Sequence, residues 1–165
     1  MLPLATILHP TDFSGYSEFA FRLACALARD YKARLVLLHV IPTPIVVYYG
    51  AVPAESWSSV AEVKEHLRQL ERRAHQVRVE SQVMVGDPVD MILRVAEETN
   101  SDVIVMGTHG RTALARLLMG SVAELVLRNA LCPVLTAKPI LQPKKAVQKS
   151  EAKAEAGVAV SAHAE

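Results

Sequence analysis

Asp102 to Val126 reads DVIVMGTHGRTALARLLMGSVAELV, and the order of its parts decides the fold. Residues 102–107 form an apolar, β-branched run of the kind buried in a parallel sheet. Gly107 and Gly110 then punctuate a basic loop with His109 and Arg111, and Gly120-Ser121 opens a segment whose Val122, Leu125 and Val126 share one helical face. A bare strand-to-helix connection would be much shorter. The stretch therefore reads as strand, functional loop and helix.

The same alternation continues in both directions. Upstream, LATILH at 4–9 is a strand closed by Pro10, and Thr11, Asp12 and Ser14 are turn and cap formers. A helical pattern runs from about Ser17 to Tyr31, with Ala20, Ala24 and Ala28 spaced to let it approach a sheet closely. RLVLLHVI at 34–41 is a second buried strand, followed by a proline-rich surface excursion over 42–56. Val60, Val63, Leu67, Leu70 and Ala74 mark an amphipathic helix, and RVESQVMV at 78–85 alternates as a more exposed edge strand does. Gly86-Asp87-Pro88 supplies a turn, an N-cap and a first-turn proline for a helix on Val89, Ile92, Leu93 and Ala96. Downstream, PVLTA at 133–137 is a short fifth strand. The order β-α-β-α-β-α-β-α-β predicts an α/β fold, a single open five-stranded parallel sheet with helices on both faces. Residues 1–138 form the domain, and 139–165 form a Lys/Ala/Glu-rich tail expected to be unstructured.

Composition narrows the function classes. Residues 1–137 hold 13 Lys/Arg and 14 Asp/Glu, whereas 138–165 hold five Lys and three Glu, so the domain lacks the basic stripe of a nucleic-acid binder. Cys25 and Cys132 stand apart from any CxxC or His-spaced cluster, which argues against a disulfide scaffold or a zinc ribbon. No apolar run is long enough to span a bilayer, and the first 21 residues carry no Lys or Arg. The expectation is a cytoplasmic protein.

Sheets of this type bind ligands beyond the carboxyl ends of their strands, where strand order reverses. Asp12, Val40 and Gly107 each fall at or just past such an end. A glycine there permits positive φ and close approach to a ligand. Gly120-Ser121 begins a helix whose unpaired N–H groups and positive dipole end suit an anion, with the serine hydroxyl as a further donor. Phosphate is the inferred ligand. The loop is neither a Walker sequence nor GxGxxG.

GTHGRTALARLLMGS resembles the G-x2-G-x9-G-[S/T] signature of the universal stress proteins, specifically their ATP-binding branch. ILHPTDFS, LLHVI, GDPVDMIL and CPVL extend the resemblance over about residues 3–138. It implies the adenine nucleotide α-hydrolase-like sheet of order 3-2-1-4-5, paired as a homodimer through the last strand. It also implies that Pro10, Thr11 and Asp12 lie beside adenine and ribose and that the Val40 backbone meets the adenine edge. Met106, Gly107, His109, Gly110, Arg111, Gly120, Ser121 and Val122 would wrap ribose and phosphates of ATP, with or without Mg2+.

Plainer readings stand beside these. Asp12 could simply cap the first helix. His9 and His39 end neighbouring strands and could form a metal pair, although packed histidines are the favoured reading. Trp57 and Tyr48-Tyr49 could cover a ligand or pack on their own loop. Three functions remain open: a nucleotide-dependent sensor, a slow ATP hydrolase, or an interaction module with an empty site. The retained glycines favour binding, and the absence of a carboxylate in the loop argues against efficient catalysis.

Overall fold

The computed structural model describes residues 4–43, 60–109 and 119–138. Along them run β1 (Thr6–Pro10), α1 (Gly15–Tyr31), β2 (Arg34–Ile41), α2 (Val60–Arg73), β3 (Arg78–Val85), α3 (Pro88–Glu98), β4 (Val103–Gly107), α4 (Ser121–Asn129) and β5 (Val134–Ala137). Every strand pairing is parallel, in the order β3-β2-β1-β4-β5. The expected α/β sheet is the observed one. The expected excursion with Tyr48, Tyr49 and Trp57, most of the glycine loop, and the tail from 139 lie outside the described residues.

Strand side chains alternate between two cores, which is why the central strands are apolar throughout. Ile7, Leu35, Leu37, Val103 and Val105 face α1 and α2, while Leu8, Val36, Leu38, Ile104 and Met106 face α3 and α4. On α1 the fully buried stripe is the alanine one, Ala20, Ala24 and Ala28, so this helix lies close on the sheet. Phe19, Leu23 and Leu27 are only partly buried at its flanks. Strand β3 is an edge with no fully buried residue: Arg78, Glu80 and Val85 are exposed and the others half-buried. At α3 the Asp87 carboxylate accepts from Val89 N–H and Asp90 N–H at 2.9 and 3.1 Å, with Pro88 in the first turn. That is the cap read from the sequence.

The first strand runs one residue further than expected, to Pro10, in register with Leu38 of β2. A proline removes a ladder donor from a central strand. It is accommodated here because the β1–β4 ladder consists of Ile7↔Val103 and Leu8↔Ile104 and has already stopped. Among the described residues, no helix is long and apolar enough to cross a membrane.

Candidate functional site

The β1–β4 ladder stops at Leu8 and Ile104, and the switch-point crevice expected beyond the carboxyl ends of these strands is walled by two chain segments. The first wall is the β1–α1 turn. Thr11 N–H donates to the Leu38 carbonyl at 2.8 Å, tying the turn to β2. The Thr11 hydroxyl oxygen accepts from Phe13 N–H at 3.1 Å and from the Ser17 hydroxyl at 2.7 Å. Ser14 caps α1 by accepting from Ser17 N–H at 3.2 Å. Asp12 is therefore not the helix cap. Its carboxylate instead accepts from Ser14 N–H at 3.0 Å, holding the turn and presenting a half-buried acid at the crevice. Pro10 and Thr11 are buried beneath it.

Phe13 fixes the turn from the other side. Its φ of 62° lies in the left-handed region, unusual for an aromatic residue. Its ring stacks on His39 at 4.6 Å and meets His66 at 5.0 Å, while His39 Nδ1–H donates to the Thr11 carbonyl at 2.7 Å. Val40, half-buried near the end of β2, packs on the α3–α4 side.

The second wall is the end of β4. Met106 and Thr108 are buried, and Thr108 N–H donates to the Ala137 carbonyl at 3.1 Å. Gly120 N–H donates to the Thr108 carbonyl at 2.7 Å, which closes the glycine loop at its base and delivers the start of α4 to the crevice. Gly120 is the N-cap of α4, with no side-chain cap, and the first intrahelical bond runs from Glu124 N–H to the Gly120 carbonyl at 3.0 Å. The N–H groups of Ser121, Val122 and Ala123 thus lack intrahelical acceptors. Both α1 and α3 carry side-chain caps; α4 does not. Ser121 is exposed and Val122 half-buried. His109 shares a 3.1 Å hydrogen bond with the Thr108 hydroxyl, and its ring lies 5.1 Å from Tyr16. Gly110 and Arg111 lie outside the described residues.

Gly107 lacks the positive φ expected of it, and its missing Cβ meets a packing need separate from any ligand contact. Among the described glycines only Gly86 has positive φ. A Cβ at Gly107 would stand 2.9 Å from the Tyr16 carbonyl carbon and 3.1 Å from Ser17 N. The glycine lets the first turn of α1 lie against the end of β4. Tyr16, absent from the sequence-based site, is thereby brought to both Gly107 and His109 by a contact that no local pattern signals.

His9 is fully buried, and its Nδ1–H donates to the Val105 carbonyl at 2.7 Å. Desolvation by burial lowers its pKa from 6.5 to about 4, against opposing effects of the Val105 bond, Asp12 and Glu18. The native state keeps this imidazole neutral while the unfolded chain takes up a proton as pH falls through 6.5. Stability from this group is therefore whole above pH 6.5 and declines between pH 6.5 and 4, by about 3 kcal/mol. Urea unfolding of the wild type and His9→Phe across this range should show a shallower pH slope in the variant. Equal slopes would contradict the assignment. His9 and His39 both spend Nδ1 on backbone carbonyls, and among the described residues no group of three His, Cys, Asp or Glu is arranged to hold a metal. Cys25 is buried, with its thiol pushed up to about 11 by desolvation.

The model of the universal stress protein family matches residues 4–138. The chain belongs to that family. Universal stress protein MJ0531 of Methanocaldococcus jannaschii is 37% identical over 147 residues, covering 84% of this chain and 83% of its own. Universal stress protein MJ0577 of the same organism is 30% identical over 151 residues, covering 80% and 93%. Its solved structure matches at a TM-score of 0.73, covering 86% of this chain and 100% of that one. The universal stress protein of Archaeoglobus fulgidus, solved in complex with dAMP, matches at a TM-score of 0.59 and 25% identity, covering 84% and 100%. That relative, of the same fold, thus holds an adenine nucleotide.

Proposed function

We propose that this universal stress protein binds ATP in the crevice between β1 and β4 and acts as a nucleotide-dependent regulatory module. The observation that carries the reading is the uncapped start of α4, held beside the end of β4 by the Gly120–Thr108 bond. Peptide N–H groups at a helix N-terminus, with the dipole behind them, bind phosphate without a dedicated lysine. The phosphates would lie on Ser121 and Val122, with Gly110, Arg111 and His109 of the loop around them. Adenine and ribose would extend toward Asp12 and the backbone of Val40. The dAMP complex of the relative supports an adenine nucleotide as the class of ligand.

Efficient phosphoryl transfer needs a metal and a group that orients the nucleophile at the γ-phosphate. Glu124, one turn into α4, is engaged by Arg128 at 2.8 Å, and Asp12 stands on the opposite wall. We therefore assign at most slow hydrolysis, with Mg2+ carried in on the nucleotide's phosphates. Strand β5 has β4 on one side only, its own Leu135 is 39% exposed, and Leu125 and Leu127 of α4 and Leu131, which precede it in the chain, are 46–87% exposed. An apolar edge of this kind pairs with its own copy, which supports a homodimer through β5. The near-neutral domain favours no nucleic-acid partner, and a cytoplasmic nucleotide pool would supply the ligand.

Denaturing the purified protein and separating the supernatant by chromatography tests the binding directly. An adenine nucleotide should be released, or taken up when ATP is added to emptied protein. If none is released and none is taken up, the site is empty and an interaction module remains. Phosphate release over hours with Mg2+ separates a binder from a hydrolase.

A further inference from the structure

The ladder between β1 and β4 ends at Leu8↔Ile104, although β1 continues to Pro10 and β4 to Gly107. Pro10 has no N–H to offer the neighbouring strand. Immediately past the end of the ladder, the Val105 carbonyl takes its hydrogen bond from a side chain, His9 Nδ1–H at 2.7 Å. The ring is 0% exposed, lies 5.9 Å from Phe21 and sits on the same strand face as Ile7, among apolar neighbours. With the proton on Nδ1, the other nitrogen is an acceptor. Nε2 is buried and has no hydrogen-bond partner among the described residues.

Leucine or phenylalanine would fill this space without an orphaned ring nitrogen, but would take from the buried Val105 carbonyl the donor it has here. The imidazole's return for its orphaned nitrogen is a cross-strand bond where the β1–β4 ladder has stopped. The chain reaches Asp12 three residues after His9, and Met106 and Gly107 directly follow Val105. These are the roots of the two walls. The Gly107–Tyr16 contact sets how closely β4 approaches α1, but it does not tie β4 to β1 in the plane of the sheet.

We propose that His9 is a positioning residue, whose Nδ1–H···O=C bond to Val105 sets the width of the crevice that receives the nucleotide. The proposal rests on the nucleotide-binding reading above. Through it, Asp12 and the start of α4 are held at a separation that one adenine nucleotide can bridge.

The test uses the full chain and two substitutions. His9→Phe keeps an aromatic ring in the space and removes the donor; His9→Asn places an amide N–H where Nδ1 stood. ATP affinity by calorimetric titration is read together with amide hydrogen exchange and with urea stability. His9→Phe should weaken ATP roughly tenfold and accelerate exchange at Asp12, Ser14 and Met106–Thr108, with β2–β3 amides still protected. His9→Asn should restore both. If folded His9→Phe binds ATP as the wild type does, or His9→Asn binds as poorly as His9→Phe, the proposal is overturned. A wild type that fails to bind ATP would remove the nucleotide reading and, with it, this role for His9. Local loosening confined to the crevice amides in His9→Phe would in that case show the strand tie without a ligand. Should His9→Phe not fold, long-range proton–nitrogen NMR on the wild type decides: an Nδ1–H tautomer that persists on adding ATP supports the bond, and an Nε2–H tautomer overturns it.

Discussion

Gly120→Asp should yield a protein slightly more stable than the wild type that no longer holds ATP. Gly120 sits at the N-cap of α4 with φ −74° and ψ 150°, a conformation open to any L-residue, and with no side-chain cap. Aspartate is among the best N-caps, and its charge is favourable at the positive end of the helix. The gain in stability should be about 0.5 kcal/mol. The same carboxylate would occupy the N–H groups assigned to phosphate and add a negative charge beside the polyanion. Losing two charge-assisted hydrogen bonds weakens binding by about 4 kcal/mol, roughly a thousandfold. Thermal unfolding without nucleotide and calorimetric titration with ATP measure the two effects separately. A Gly120→Asp variant that binds ATP within a few-fold of the wild type would mean that the phosphates lie elsewhere.

Gly107→Val should damage the fold itself. The added Cβ would meet the Tyr16 carbonyl carbon at 2.9 Å and Ser17 N at 3.1 Å, and both are backbone atoms. They cannot swing aside, because the first turn of α1 is pinned by the Ser14 cap and by the Ser17–Thr11 hydroxyl bond. Overpacking a tight site costs typically about 1–3 kcal/mol, and two further methyl groups on an unyielding backbone raise the expected loss to about 4 kcal/mol. That is a large fraction of a domain's total stability. The urea midpoint in the absence of nucleotide should fall accordingly. A Gly107→Val protein of unchanged stability that had lost only ATP affinity would contradict the packing role and leave Gly107 with ligand approach alone.

The sheet was legible because its evidence is local. Unbroken apolar runs such as RLVLLHVI belong to strands covered on both faces, and the alternation in RVESQVMV marks an edge. Gly86-Asp87-Pro88 announced its helix because cap, proline and turn are adjacent in the chain. Asp12 misleads for the opposite reason. A left-handed Phe13, which nothing in Thr-Asp-Phe-Ser demands, delays the helix to Gly15 and passes the cap to Ser14.

The candidate site was half legible. Glycine spacing marked the loop and the start of α4, which the Gly120–Thr108 bond brings back to the strand end. Tyr16 against Gly107, and His9 bonded to Val105 across 96 positions of sequence, are products of tertiary packing. Periodicity carries no trace of either. The proton of His9 is the sharper case, since a histidine at the end of a strand reads equally as ligand, base or filler until its burial is known.

Amide spectra of isotopically labelled protein, recorded as ATP and then adenosine are titrated in, show whether the start of α4 holds the phosphates. The Ser121, Val122 and Ala123 resonances should move with ATP and stay nearly still with adenosine. ATP binding that leaves those three amides unmoved, or adenosine shifting them equally, would contradict that placement of the phosphates.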